Sequence, residues 1–405
     1  MSNIFDIGIV GMGIGGVFCA YKLAKEHKGI KIFGIDLGRP QGKRRRQLEG
    51  YFGCFPNSDG KLFQSDINKV AQLTGLRKAK SANTYLKHIL EEIDTFKIVK
   101  DKAPSISIDK KLKKLGYDIS LNDYIQMYPK EIHALSKYLS NSIELNKNVS
   151  FAFDSEVVRV VKQKNTFIIT TDDLKEYHCK KLIIAAGRSG WRWTNDLYKS
   201  FGIIDNNDVA RFGVRIEANS SVLKDFNKSN CTIRKGDDLE IGPLSWYGTV
   251  IPEDHVDMAI SAFRSNEARW KTDKVSFSFI GNRPFPGTGF EQTDRISKLT
   301  FILANDRIIK ERVSTILNGK SKISIIPEYD WLKEAIADFA NVLPEIATKA
   351  HYHSPTIVPA ASQIILGDNL SSEIDGMFVV GEAAGIHGIL SAALSGLIVA
   401  DSVLK

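Results

Sequence analysis

Three glycines, Gly11, Gly13 and Gly16, stand in the spacing G-x-G-x-x-G inside "GIVGMGIGGVF", and an acid, Asp36, closes "IKIFGIDLG" 20 residues after Gly16. These residue types at this spacing suit phosphate and sugar recognition. Gly11 permits a tight turn after a strand, Gly13 lets the backbone approach a pyrophosphate, and Gly16 lets a helix pack closely on a sheet. Ile14 and Gly15 complete the run, where a helix N-terminus offers N–H groups and a partial positive charge to an anion. A carboxylate at the end of the second strand can accept from ribose hydroxyls. The stretch fits a dinucleotide, and by itself it fits a nicotinamide and a flavin equally. "GKRRR" at 42–46 follows Asp36 and reads as a solvated loop edge, with a basic contact to substrate as the alternative, since Asp36 would repel a 2′-phosphate placed there.

Two further stretches end a strand on glycine. One is "LIIAAGRSG", with Gly187. The other is "MFVVGEAAGIHGILSAALSG", with Gly381, Glu382, Gly385, Gly388, Ile389 and Leu390 leading into a helix. Candidate catalytic groups are His387, in that last turn, as an acid/base group, and Lys61, in "SDGKL", which could stabilise a flavin or substrate anion. Trp246 and Tyr247 could wall a substrate, with His353 a further candidate contact. Trp191 and Trp193 suit packing. His351 and His353 alternate without a nearby carboxylate, which makes a poor metal site, and no metal is expected.

The elements that must position these groups follow from hydrophobic periodicity. "FDIGIV" is an apolar strand. The helix "GVFCAYKLAKEHKG" repeats Val17, Ala20, Leu23 and Ala24 at helical spacing, with Gly29 to stop it. "IKIFGID" completes a βαβ unit. Residues 39–64 read as loop, and 65–145 as a largely helical insertion. The period then changes to two in "VSFAF", "EVVRVVKQ" and "TFIITT", a meander that leads into "CKKLIIAAG". Residues 205–350 mix strands ("RFGVRIEA", "WYGTVIPE", "VDMAISAF", "KVSFSFIG") with two amphipathic helices, "TDRISKLTFILANDRIIKERV" and "WLKEAIADFANVLPEIATKA". The chain then returns at "GMFVVGEAAG" and closes with a helix over 389–404.

Bulk properties narrow the class. The 405 residues allow two domains. The net charge is +8, from 55 Lys and Arg against 47 Asp and Glu, but the lysines are spread along the chain rather than gathered into one footprint. None of the four cysteines stands in a C-x-x-C pair, which argues against a disulfide scaffold, a zinc ribbon or a thioredoxin-type centre. The N-terminus lacks a signal-peptide pattern and no stretch reaches about 18 uninterrupted apolar residues. The expectation is a cytoplasmic protein without membrane insertion.

The C-terminal stretch, with "AAGRSG" and the first glycine motif in the same order, resembles the FAD-dependent oxidoreductases of the glutathione-reductase-like superfamily. "NSDGKL", "RFGVRIEA" and "HSPTIVPA" narrow the resemblance to a poorly characterised group of FAD-dependent dehydrogenases. The resemblance implies an α/β fold: a Rossmann-like FAD-binding domain (parallel sheet plus β-meander, 1–204 and 351–405) with an inserted α+β substrate or cap domain (205–350). It implies non-covalent FAD held at Gly11, Gly13, Ile14, Gly15, Gly16, Asp36, Gly187, Gly381, Glu382, Gly388, Ile389 and Leu390. Glu382 stands where Asp is commoner, and "IGPLSWYGTV" replaces an expected glycine-rich, cysteine-containing stretch. "GNRPFPGTG" is no second nucleotide motif, and paired cysteines are missing, so disulfide reductase chemistry is not expected. The implied activity is hydride transfer between flavin N5 and a small organic substrate, with a diffusible electron donor or acceptor. The alternatives are a flavoprotein acting on nucleic acid, as in tRNA modification, and a non-catalytic FAD-binding protein.

Overall fold

The computed structural model describes residues 4–43, 47–203, 207–255, 258–305, 307–358 and 364–405. The chain forms two units: Met1–Ile98 with Ile125–Asn206 and Ala361–Lys405, and Val99–Tyr124 with Asn207–Ala360.

In the first unit β1 (Ile4–Val10) runs into α1 (Ile14–Glu26) and returns as β2 (Ile32–Ile35). Then come β3 (Lys61–Phe63), α2 (Asp66–Thr74), α3 (Leu76–Glu91) and α4 (Pro129–Glu144). They are followed by β4 (Val149–Ala152), β5 (Val157–Gln163), β6 (Thr166–Thr171), β7 (Glu176–Ile184) and α5 (Trp191–Ser200). The unit closes with β8 (Met377–Val379) and α6 (Ile389–Ser402). The sheet order is β4-β2-β1-β7-β6-β5, with β8 also on β7.

One long strand serves two neighbours on the same edge. The start of β7, Glu176–Cys179, pairs antiparallel with β6, while Leu182–Ile184 pairs parallel with β8. The end of β1 and all of β2 and β8 are buried, the continuous apolar pattern of a parallel sheet covered on both faces. In β6 burial alternates residue by residue, as a half-covered meander requires. Helices α1 and α6 cross with their backbones almost touching: a Cβ on Gly396 would lie 2.2 Å from the Gly15 carbonyl oxygen.

The second unit is built on antiparallel strands. Val209–Asn219 and Lys274–Pro284 pair along their whole length, from Val209 opposite Pro284 to Asn219 opposite Lys274. His351–Val358 and Ile309–Arg312 extend the sheet on one side; Leu239–Ile241, Thr232–Lys235 and Asp118–Ser120 extend it on the other. Phe277, Phe279 and Phe339 pack in its core.

The expected domain boundaries need two corrections. Residues 99–124 do not stay with the helical insertion, because Asp118–Ser120 is a strand of the second sheet. The Asp101 carboxylate reinforces this by accepting from the backbone N–H groups of Asn122 and Asn230, both at 2.8 Å. Residues 351–358 pair with Val209–Asn219, so that strand too belongs to the second unit. The expected single helix over 293–313 ends at Leu303, and Ile309–Arg312 is a strand; Asn305, at φ +53, turns the chain between them. The helix expected from Trp331 ends at Ala340, short of Pro344, and resumes only as Glu345–Lys349. Among the described residues no helix is long and apolar enough to cross a membrane.

Candidate active site

Three parallel strands end level with one another. Val10 of β1 lies opposite Ile184 of β7, and Ile184 opposite Val379 of β8. Each then turns through a glycine of positive φ: Gly11 at +100°, Gly187 at +63° and Gly381 at +63°. The turns are tied to one another. Ala185 N–H donates to Val10 at 2.7 Å and Val380 N–H to Ile184 at 2.9 Å. Stretches some 370 residues apart in sequence therefore share one edge of the sheet.

The glycines of the first motif do different work. A Cβ on Gly16 would lie 2.0 Å from the Gly11 oxygen, so helix and turn close only without one. For Gly13 the nearest atom to such a Cβ is Gly53 Cα at 3.8 Å, so internal packing does not demand glycine there. Gly13 is the N-cap of α1, and no side chain caps the helix. The helix begins at Ile14, so Ile14, Gly15 and Gly16 form its first turn, whose N–H groups have no partner within the helix. A bare backbone at Gly13 beside an uncapped positive helix end fits a pyrophosphate.

Asp36 makes contacts that its spacing does not foretell. Its carboxylate accepts from the N–H groups of Met12 (2.7 Å), Gly38 (2.7 Å) and Gly50 (2.8 Å), pinning the glycine turn to Gly38 and Gly50. The arginines at 44–46 lie outside the described residues.

The C-terminal turn is a short helical turn, Gly381–Ala384, held by Gly381 N–H on Ser395 Oγ (3.0 Å) and by Tyr198 Oη on the Ala383 carbonyl (2.9 Å). Glu382 hydrogen-bonds His387 Nδ1, and Arg188 Nη2 lies 3.5 Å from its other oxygen. Burial alone would raise this carboxyl, but the charges of His387 and Arg188 outweigh it and hold Glu382 down at about 2. At the α6 N-terminus a Cβ on Gly388, itself at φ +118, would lie 2.2 Å from Asp66 Oδ2. Ile389 is half-buried and Leu390 buried, so their backbones, rather than the Leu390 side chain, are what α6 can offer a ligand.

Lys61 lies in β3, which packs on α6, with a largely buried side chain 3.5 Å from Asp59. Trp193 Nε1 donates to the Val157 carbonyl at 2.7 Å, which is a packing role. In the second unit Trp246 and Tyr247 line a groove of about 640 Å³ with Lys102, Lys224, Lys228 and Asn227. His353 does not line it. Its ring is buried, Nε2 lies 3.5 Å from Glu217 Oε2, and burial lowers its pKa. Glu217, with Lys274 at 3.0 Å, is held at about 2 once these partners outweigh its burial. Among the described residues no three His, Cys, Asp or Glu side chains gather as a metal site.

Arg188, Asp66 and Ser395 escaped the sequence reading. Arg188 had a signal: it follows Gly187, and the 184–379 register sets that turn beside Glu382. Asp66 and Ser395 had none, since only tertiary packing brings them to the turn. Cys19, Cys179 and Cys231 are buried, and burial pushes their thiols up, to about 12 for Cys179 and Cys231.

A family model described as pyridine nucleotide-disulphide oxidoreductase matches residues 5–215, just over half of the chain. No curated protein matches. Among solved structures, glycine oxidase from Geobacillus kaustophilus is 14% identical with a TM-score of 0.45, covering 100% of this chain and 95% of that one. PqsL of P. aeruginosa with 2-aminobenzoylacetate is 12% identical with a TM-score of 0.44, covering 99% and 86%. Halogenase PltM with phloroglucinol and FAD is 12% identical with a TM-score of 0.45, covering 99% and 69%. Likenesses this distant carry no argument about chemistry. The chain belongs to the pyridine nucleotide-disulphide oxidoreductase family and is an FAD-dependent oxidoreductase.

Proposed function

We propose that this enzyme transfers a hydride between flavin N5 and a small organic substrate, with non-covalent FAD in the first unit and a diffusible partner for the second half-reaction. The observation that carries this reading is the level ending of three strands at Val10, Ile184 and Val379, each followed by a positive-φ glycine. The first turn of α1 binds the pyrophosphate, and Asp36, at the end of β2, meets the adenosine ribose. Gly187, Gly381 and Glu382 line the ribityl chain, and the first turn of α6 (Gly388, Ile389, Leu390) meets the pyrimidine end. When bound, FAD supplies the two-electron chemistry.

The protein's own part is to hold and move a proton. Glu382 takes the Nδ1 side of His387 and fixes the ring, leaving Nε2 to carry a proton toward substrate. Lys61 is a second candidate for offsetting negative charge.

The second unit handles substrate. Lys102, Lys224 and Lys228 form no ion pair among the described residues, and Lys228 Nζ stands 5.3 Å over the Tyr247 ring. This supports an anionic substrate with a flat apolar part. Disulfide chemistry lacks support, since three of the four thiols are buried and held protonated. We infer a cytoplasmic setting from the unpaired cysteine spacing.

The test is the absorption spectrum of purified protein before and after acid precipitation. Released yellow FAD is expected, and a colourless protein would overturn the reading. Anaerobic bleaching across a panel of organic acids and amines then identifies the substrate, with neutral compounds as the contrast.

A further inference from the structure

A carboxylate lies against the N-terminus of α6. Asp66, in the first turn of α2, is 3% exposed, and its Oδ2 sits where a Gly388 Cβ would be. Ser391 Oγ, in the first turn of α6, donates to the Asp66 backbone carbonyl at 3.5 Å, and Lys69 Nζ lies 2.7 Å from Oδ1. Lys69 also donates to the His387 carbonyl at 3.4 Å, so the same lysine touches both the carboxylate and the turn before α6. The charges acting on Asp66 are Lys69, on its own helix, and Glu382, in the turn before α6.

A hydride brings a flavin two electrons and one proton, leaving one negative charge unless a second proton is taken from water. A helix N-terminus favours that charge, and a fixed carboxylate on the same N-terminus opposes it. We propose that Asp66 and Lys69 set the reduction equilibrium of the bound flavin, Asp66 holding it down and Lys69 restoring part of it. This rests on the flavin lying at the α6 N-terminus. Both residues act through the helix end, so they are tuning residues rather than catalytic ones. Burial raises the Asp66 carboxyl, which agrees with a site where negative charge is already costly.

The experiment is a dye-equilibrated anaerobic titration of the holoenzyme. Asp66→Asn should favour reduction about tenfold, about 30 mV upward for a two-electron couple. Lys69→Gln should shift it the other way. Lys69 is half-exposed, so K69Q remains informative if D66N does not fold. Opposite shifts support the proposal; shifts in one direction, or neither exceeding twofold, overturn it. FAD content, measured separately by release, decides the cofactor reading: a holoenzyme with unmoved potentials refutes only the tuning, while protein without FAD refutes the site.

Discussion

Glu382 offers the sharpest arithmetic. Its carboxyl sits between His387 and Arg188 and is held at about 2, against an ordinary 4.5. A group whose pKa is depressed by folding contributes stability that is full above its unfolded pKa and is lost as pH falls through the folded one. The interval here is about 2.5 pH units, which at about 1.36 kcal/mol each gives about 3 kcal/mol at pH 7. By the same linkage about 1 kcal/mol remains at pH 3. Glu382→Gln removes the charge and keeps the shape, so the wild type should exceed the variant by about 3 kcal/mol at pH 7 and by less than half of that at pH 3. Urea unfolding of both apoproteins, followed by tryptophan fluorescence at pH 7, 4 and 3, measures the difference. A gap below about 1 kcal/mol at pH 7, or one that stays constant with pH, would refute the triad as an electrostatic unit.

Other outcomes follow from the same geometry. Gly388→Ala must place a Cβ 2.2 Å from Asp66 Oδ2 at φ +118, so bound FAD should drop below half of wild type in released-flavin assays, and D66N should not restore it because the φ is unchanged. In native protein Cys19, Cys179 and Cys231 should react with a thiol reagent only at the unfolding rate, checked by comparing labelling with and without urea. Replacing Lys102, Lys224 and Lys228 by glutamine should raise KM for anionic substrates at least tenfold while leaving FAD content intact, as read by steady-state kinetics on whichever acid bleaches the flavin.

The first βαβ unit is legible in the sequence because its signals are local: an apolar run, three glycines at fixed spacing and an acid 20 residues on. The closing strand, turn and helix are legible for the same reason. Helix α1 begins at Ile14 rather than with the apolar repeat at Val17, since an uncapped first turn leaves no propensity signal. Residues 118–120 and 351–358 changed unit because a strand's partner is chosen by the sheet, not by its own three to eight residues. Asp36 reads as a sugar ligand from its place after β2, yet it also ties Met12, Gly38 and Gly50, bonds that depend on tertiary placement rather than on local spacing. Asp66 and Arg188 are ordinary charges in the sequence and acquire meaning only against Gly388 and Glu382.

The central claim is that backbone bared at Gly13, at the head of α1, receives the FAD pyrophosphate. The most direct measurement is FAD titration of apoprotein by fluorescence quenching, wild type against Gly13→Ala, alongside urea unfolding of both. Since, beyond its chain neighbours, the new methyl would meet only Gly53 Cα, at 3.8 Å, and φ at Gly13 is −70, the variant should unfold within about 0.5 kcal/mol of wild type yet bind FAD at least tenfold more weakly. Unchanged FAD affinity in G13A, or no FAD binding by the wild type, would contradict it.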